Sequence, residues 1–422
     1  MKKKILVRGP ALSRSGYGEH TRFLLRSLRT HGDDYDLYLI NVPWGQTGCN
    51  IEDDDERRWT DSLILKTVEY IQQKKPFDAS IQVTIPNEWE KLAPINIGVT
   101  AGIETTKVAP IWLAKGNEMD KIIVVSNHSK QVYETSICNA QDSSTGQTID
   151  NYRCETPIEV VNYPARKYDP QEIEGLELEF DYNLLAVAQW GPRKNLENTI
   201  RWFVDEFKDD EVGLVVKTNL AKDSLMDRRV IEQNMRGLIH SLGEKRCKIY
   251  LLHGHLTAPQ MTYLYNHKKI KSLVSLSHGE GFGLPLFEAA CNGLPIIAPL
   301  WSGQTDFLYA PNKNGKMRPQ IAKVNYAIQP VQPQCVWEGV IQADAMWCFP
   351  HEKDYKKQLR EVYSNYGRFK SSAKRLQKYV LKEFEYDKQH KLFADEIFEC
   401  VGESNSSETW LAEIEDIIKE YE

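Results

Sequence analysis

The sequence predicts an α/β protein of two parallel-sheet domains, and three observations carry that prediction. At 422 residues the chain exceeds what one ordinary hydrophobic core supports, so two domains are expected. Short apolar runs alternate with longer amphipathic stretches from end to end, the pattern of strands covered on both faces by crossing helices. The alternation breaks once, at Asn162–Glu179, where Pro164, Pro170 and an acidic segment interrupt it.

Before the break the strand-like runs include Ile5–Arg8, Asp36–Asn41, Ile95–Val99, Ile122–Ser126 and Ile158–Val161. They resume at Leu184–Ala188, Leu214–Lys217, Lys248–His253, Leu273–Leu276 and Pro295–Ala298. Runs this short and rich in Val, Ile and Leu, with helix-length segments between them, belong to the α/β class. Residues 1–165 read as one Rossmann-like domain and 166–385 as a second, with a linker at about 162–180. From Tyr386 to 422 the chain is charged and helix-prone, with Leu392, Phe393, Ile397 and Phe398 spaced for one buried face. The acidic run Glu52–Glu56 reads as a solvated loop rather than a metal site.

Composition bounds the function. Hydrophobic residues make up 41% and charged residues 27%, as in a globular protein. A formal net charge of −6 supplies no global basic field for nucleic acid or an anionic membrane, though a local basic cleft is compatible with it. Eight cysteines are scattered without a C-x-x-C pair, the closest (Cys335 and Cys348) thirteen apart, so reduced core thiols are expected and a zinc cluster is not. The start Met1-Lys-Lys-Lys-Ile-Leu-Val has too few apolar residues for a secretory signal and reads as a first strand. No run approaches the length of a membrane span, and a cytoplasmic protein is expected.

The chemistry concentrates in Ser277-His-Gly-Glu-Gly-Phe-Gly-Leu-Pro-Leu-Phe-Glu-Ala-Ala-Cys-Asn-Gly-Leu-Pro-Ile-Ile-Ala298. A strand turns through Gly279, Gly281 and Gly283 into a helix opened near Pro285, and Gly293 ends that helix before the next strand. Such a loop exposes free backbone N–H groups beside the positive end of the helix dipole, a site for phosphate. Glu280 and Glu288 frame it with seven residues between. A carboxylate near the helix start can accept hydrogen bonds from vicinal hydroxyls such as those of a ribose. Alone, the glycine loop is equally explained by an ordinary strand–turn–helix with solvated glutamates. A second element, Ala186-Val-Ala-Gln-Trp-Gly-Pro-Arg-Lys-Asn195, puts two cations on a strand-to-helix turn. Arg193 offers a planar fork and Lys194 a point charge to a diphosphate, or both belong to an exposed basic turn. Lys217 either lines the same cleft or is solvated. A third, Arg8-Gly-Pro-Ala-Leu-Ser-Arg-Ser-Gly-Tyr-Gly-Glu-His-Thr-Arg22, carries Gly16 and Gly18 after the first strand. A dinucleotide fingerprint fails there, because its third glycine falls at Thr21.

From Glu280 to Ala289 the string resembles the glutamate–seven–glutamate motif of family-4 retaining glycosyltransferases, in which Glu-Gly-Phe-Gly is followed by Pro, an apolar pair and Glu-Ala. The resemblance covers about residues 1–310, including Gly102–Trp112 and Val124–Val132, and is most specific in the second domain. It implies a GT-B fold: two Rossmann-like domains facing a cleft, the first selecting the acceptor and the second binding the nucleotide-sugar donor. A C-terminal helix would cross back to the first domain. The implied donor set is Gly16, Gly18, Arg193, Lys194, Glu280, Gly281, Phe282, Gly283, Leu284 and Glu288, with Arg193, Lys194 and Glu280 catalytic. Many members place a His near Gly102–Trp112 against the donor sugar. Here the nearest polar candidate is Glu104, joined on the sugar or acceptor side by Tyr17 and His20, while His128 reads as a helix-start residue.

The implied activity is metal-independent, retaining transfer of a hexose or pentose from a nucleotide-diphosphate sugar, such as a UDP- or GDP-sugar, to an acceptor hydroxyl. No cofactor is implied beyond the donor substrate. A sugar-nucleotide epimerase and an inactive scaffold of the same fold are the competing readings. The acceptor is open: a glycan, a lipid or a modified nucleobase. Arg8, Arg14, Arg22 and Arg26 gather basic charge near the first loop, either for an anionic acceptor or as a solvated helix face.

Overall fold

The computed structural model describes residues 2–403 apart from 31, 33, 142–145 and 313. Two six-stranded parallel sheets form its framework. The first is built from β1 (Lys3–Gly9), β2 (Tyr35–Asn41), β3 (Ala79–Val83), β4 (Ile95–Thr100) and β5 (Lys121–Val124). A projecting antiparallel hairpin, β6 (Cys138–Gln141) and β7 (Thr148–Tyr152), precedes the edge strand β8 (Ile158–Val160). Strand order is β2-β1-β3-β4-β5-β8. The helices α1 (Gly16–Arg29), α2 (Asp55–Gln72), α3 (Pro110–Gly116) and α4 (Asn127–Thr135) make the crossovers. Because β1 lies between β2 and β3, the order reverses there and a crevice opens at the carboxyl ends of the strands.

The second sheet repeats the plan with β9 (Asn183–Val187), β10 (Gly213–Lys217), β11 (Lys248–Leu252), β12 (Ile270–Val274) and β13 (Ile296–Pro299). A short hairpin, β14 (Tyr309–Pro311) and β15 (Met317–Pro319), leads to the edge strand β16 (Ala322–Val324), giving the order β11-β10-β9-β12-β13-β16. A third hairpin joins β17 (Tyr326–Pro330) to β18 (Met346–Pro350). The helices are α5 (Leu196–Phe207), α6 (Leu225–Ser241), α7 (Ala258–Asn266), α8 (Leu284–Cys291), α9 (Glu352–Ser364) and α10 (Tyr366–Glu383). Here β9 sits between β10 and β12, so the strand order reverses there, at the carboxyl ends of the second sheet.

Residues 161–182 connect the two sheets without helix or strand. The chain returns through α10, which packs on α8, and then α11 (Tyr386–Glu403), which lies against α1 of the first sheet. The crossing is tied where the Ala165 amide donates to the Phe384 carbonyl at 2.6 Å. Phe393 and Ile397 are fully buried on α11, whereas Phe398 is 48% exposed, so the inward stripe runs through Phe393, Ala394, Ile397 and Val401. The rest of the tail read as helix-prone, 404–422, lies outside the described residues.

Two differences from the sequence reading have physical reasons. The central strand β3, Ala-Ser-Ile-Gln-Val, carries fully buried Ser80 and Gln82, which break the apolar run. Both are satisfied internally: Ser80 donates to Asn96 Oδ1 at 2.8 Å, and Gln82 Oε1 accepts from the Glu90 amide at 3.1 Å. Strand β12 begins at Ile270 rather than Leu273, with Ser272 buried inside it. In the acidic run, Asp54 caps α2 by accepting from the Arg57 amide at 2.7 Å, and Arg58 pairs with Asp53 and Asp55. Among the described residues no helix is long and apolar enough to cross a membrane.

Candidate active site

The loops after β9 and β12 meet because their strands are neighbours. Arg193 and Lys194 follow β9 in a single 3₁₀ turn, and Asn195, at φ 52°, redirects the chain into α5. The Arg193 carbonyl accepts from the His278 amide at 2.8 Å, which sets the two loops in register. Lys194 Nζ then lies 2.6 and 2.8 Å from the two oxygens of Glu280, and Arg193 lies 3.5 Å from the same carboxylate. Burial pushes the Glu280 carboxyl up, but the Lys194 and Arg193 charges outweigh it and hold the group below its ordinary range.

The loop bearing Glu280 is made of close approaches. A β-carbon on Gly279 would fall 2.0 Å from the Glu104 carbonyl, and one on Gly281 the same distance from the Ala101 carbonyl. These glycines therefore let a second-domain loop touch a first-domain loop backbone to backbone. Arg193 bridges the same gap, with Glu104 3.5 Å away on the far side. Two cations thus face two carboxylates, one from each domain.

Gly283, at φ 96°, turns the chain into α8, and Leu284 and Pro285 open the helix. Phe282 points away from the loop, 3% exposed, with its ring packed on Tyr163, Phe287 and Phe307; only its backbone is left to a ligand. Glu288, in the middle of α8, is exposed to water, and neighbouring protein still removes part of its hydration. Its Oε2 accepts from the Tyr265 hydroxyl at 2.8 Å. Burial, reinforced by the nearby Glu19 charge and opposed by Tyr265 and Arg166, pushes its carboxyl up to about 7.

On the first domain, Ser15 caps α1 by accepting from the Gly18 amide at 3.0 Å. A β-carbon on Gly18 would strike the Ser13 carbonyl at 2.0 Å, whereas Gly16 faces open space. Tyr17 is hydrogen-bonded to Thr100 at 2.7 Å and its ring packs on Trp44 at 4.4 Å, beside Gly102. His20 is a correction: it is fully buried among Phe23, Tyr163 and Phe393, with neither ring nitrogen hydrogen-bonded, and offers no surface to an acceptor. Burial pushes its imidazole down to about 3, so it is neutral. The arginines are likewise committed: Arg14 to Asp223 at 3.2 Å, Arg22 to Glu19 at 3.1 Å, Arg26 to Glu56 at 2.7 Å, and Arg8 to the Glu88 carbonyl at 2.7 Å. Arg14, Arg22 and Arg26 are thus ion-paired within the protein, and Arg8 is bonded to neutral groups. Lys217 is half-buried at the end of β10, its ammonium pushed down by burial. His128 is the second residue of α4, packed on Trp301.

Sequence reading passed over several residues that complete the site. Ser302, at φ 63°, accepts from the Glu280 amide at 2.9 Å, and Gly303 must be glycine because a β-carbon would sit 1.8 Å from the Gly281 carbonyl. The Ser-Gly pair after a strand was the available signal. His278 stacks on Trp347 and bonds the Cys348 carbonyl at 2.6 Å, so it fastens the Glu280 loop to β18. The hairpin that ends in β18 reaches the first domain: the Thr106 amide donates to the Met346 carbonyl at 2.9 Å, and Trp112 Nε1 to the Gly339 carbonyl at 2.9 Å. Among the described residues no group of three or more His, Cys, Asp or Glu side chains is arranged to hold a metal ion.

Neither a family model nor a curated protein matches this sequence. Solved structures do match its shape. Sucrose-phosphate synthase from Thermosynechococcus elongatus superimposes with a TM-score of 0.61 at 12% identity, covering 96% of this chain and 100% of the other. HepE from Anabaena, solved with UDP and glucose, gives 0.56 at 12% identity over 94% and 100%. The catalytic domain of starch synthase IV from Arabidopsis thaliana, bound to ADP and acarbose, gives 0.52 at 10% identity over 93% and 99%. The chain has the GT-B fold. Arg193, Lys194, Glu280 and Glu104 stand where the two domains come together.

Proposed function

We propose that this chain is a retaining, metal-independent glycosyltransferase of the family-4 type, taking its sugar from a nucleotide-diphosphate donor bound to the second domain. The observation that carries the reading is the convergence of Arg193 and Lys194 on Glu280 at the carboxyl-end crevice, beside the start of α8. A leaving diphosphate needs preorganised positive charge, and two cations with the amides of Gly281–Gly283 and a helix terminus supply it. Glu280 and Glu104 pair with those cations. A donor's phosphates would compete for them and release the carboxylates toward sugar hydroxyls. Glu288, deeper along α8, is the acceptor for the ribose diol.

In this mechanism the anomeric C–O bond to the β-phosphate breaks as the acceptor oxygen approaches on the same face, and the departing phosphate takes the acceptor's proton. Arg193 and Lys194 stabilise the negative charge that grows on that phosphate. The assay is donor cleavage and transfer with a panel of UDP-, GDP- and ADP-sugars after chelator treatment. Activity should survive chelation, and an α-linked donor should yield an α-linked product by NMR. A β-linked product, or activity abolished by chelator and restored by magnesium or manganese, would overturn the mechanism.

A further inference from the structure

Tyr265 is the last but one residue of α7, 2% exposed, and its hydroxyl reaches out of the core to Glu288. That contact occupies Oε2 and leaves Oε1 without a hydrogen bond among the described residues. The other groups around this carboxylate are few. Cys291 lies one turn along α8, Glu19 faces it from α1, and Arg166 from the connection between the sheets. Glu19 and Arg166 pair with each other at 2.5 Å and so largely cancel. Lys370 of α10 donates to the Gly293 carbonyl at 2.9 Å, past the far end of α8. Tyr265 is therefore the one direct hydrogen-bond partner of the Glu288 carboxylate among the described residues.

We propose that Tyr265 is a positioning residue that fixes one oxygen of Glu288 and presents the other to a ribose diol, so that this contact selects ribonucleoside diphosphates over their 2′-deoxy forms. The inference rests on the donor-site reading above. A phenol donating to a carboxylate favours its ionised form, which accepts hydroxyl hydrogens; without it, the desolvation imposed by the surrounding protein drives the carboxyl toward its neutral form. Ligand binding at this position should strengthen as pH rises through about 7.

The test is calorimetric titration of the full chain with UDP, GDP and ADP, followed by the 2′-deoxy form of the best binder. At neutral pH, Tyr265→Phe should weaken the ribonucleotide about five- to tenfold and the 2′-deoxy form less than about twofold, and should move the pH midpoint up by about one unit. In a Glu288→Gln background the same substitution should add nothing, which separates positioning from a loss of fold. Equal losses for ribo and deoxy ligands, or an unmoved pH midpoint, overturn the role of Tyr265 while leaving the donor site standing. A wild-type chain that binds none of the three diphosphates overturns both.

Discussion

Removing the Lys194 ammonium tests the central claim about charge. Two cations balance two carboxylates at the site, with Lys194 the closest partner of Glu280 at 2.6 and 2.8 Å. Lys194→Ala leaves Glu280, side chain 9% exposed, with Arg193 at 3.5 Å as its remaining cation, and turns a neutral pocket into one of net negative charge. A donor diphosphate then meets repulsion where it had met attraction. A unit pair about 4 Å apart at an effective dielectric of about 20 is worth roughly 4 kcal/mol. Part of that acts equally on ground and transition states and raises KM. The part that grows as charge leaves onto the phosphate lowers kcat, by about 100- to 1,000-fold. Release of nucleoside diphosphate from the best sugar donor, followed over a substrate range, separates the two. Lys194→Ala/Glu280→Gln should regain donor binding but not turnover, because the pocket's charge balance is restored without the ammonium that stabilises the leaving phosphate. Wild-type kcat in Lys194→Ala would refute the argument.

Two further outcomes follow from close contact and from a depressed pKa. Gly281→Ala puts a β-carbon 2.0 Å from the Ala101 carbonyl, so the loops of the two domains must separate; a cost of about 1–3 kcal/mol in melting experiments and a more than about tenfold loss of turnover are expected, and unchanged values of both would show the contact to be dispensable. Asp227 accepts from the amides of Leu220, Ala221 and Lys222 and contacts His253, and it titrates at about 2, although burial opposes this. A carboxyl depressed on folding stabilises above its unfolded pKa and loses that contribution as pH falls through the folded value. Asp227→Asn should therefore cost about 2 kcal/mol in urea unfolding at neutral pH, with the difference closing as pH falls from about 4 to 2. A difference independent of pH would assign the loss to packing.

By itself the sequence determined what is written in contiguous residues. The strand, glycine turn and helix at Ser277–Ala298 form one local unit, so the placing of Glu280, Glu288 and the αL Gly293 along it was legible with no knowledge of the fold. The same holds for Arg193 and Lys194 after β9, and for the break at Asn162–Glu179. Periodicity also yielded most of both parallel sheets, because strands buried on two faces are written as unbroken apolar runs. Where burial was achieved with internally bonded polar groups, as in Ser80 and Gln82 of β3, that signal vanished. Tertiary structure decided which loops meet. That β9 borders β12 brings Lys194 to Glu280 across 86 residues, and the packing of α7 beside α8 brings Tyr265 to Glu288. Closure of the domains sets Glu104 against Arg193, and the docking of α11 on α1 removes His20 from the cleft. Charge followed the same rule: Arg14 and Arg26 look free along the chain and are paired in space. Helix and strand patterns are properties of neighbours in sequence, whereas partner choice is settled by strand order and domain closure, where residues far apart compete for the same few positions.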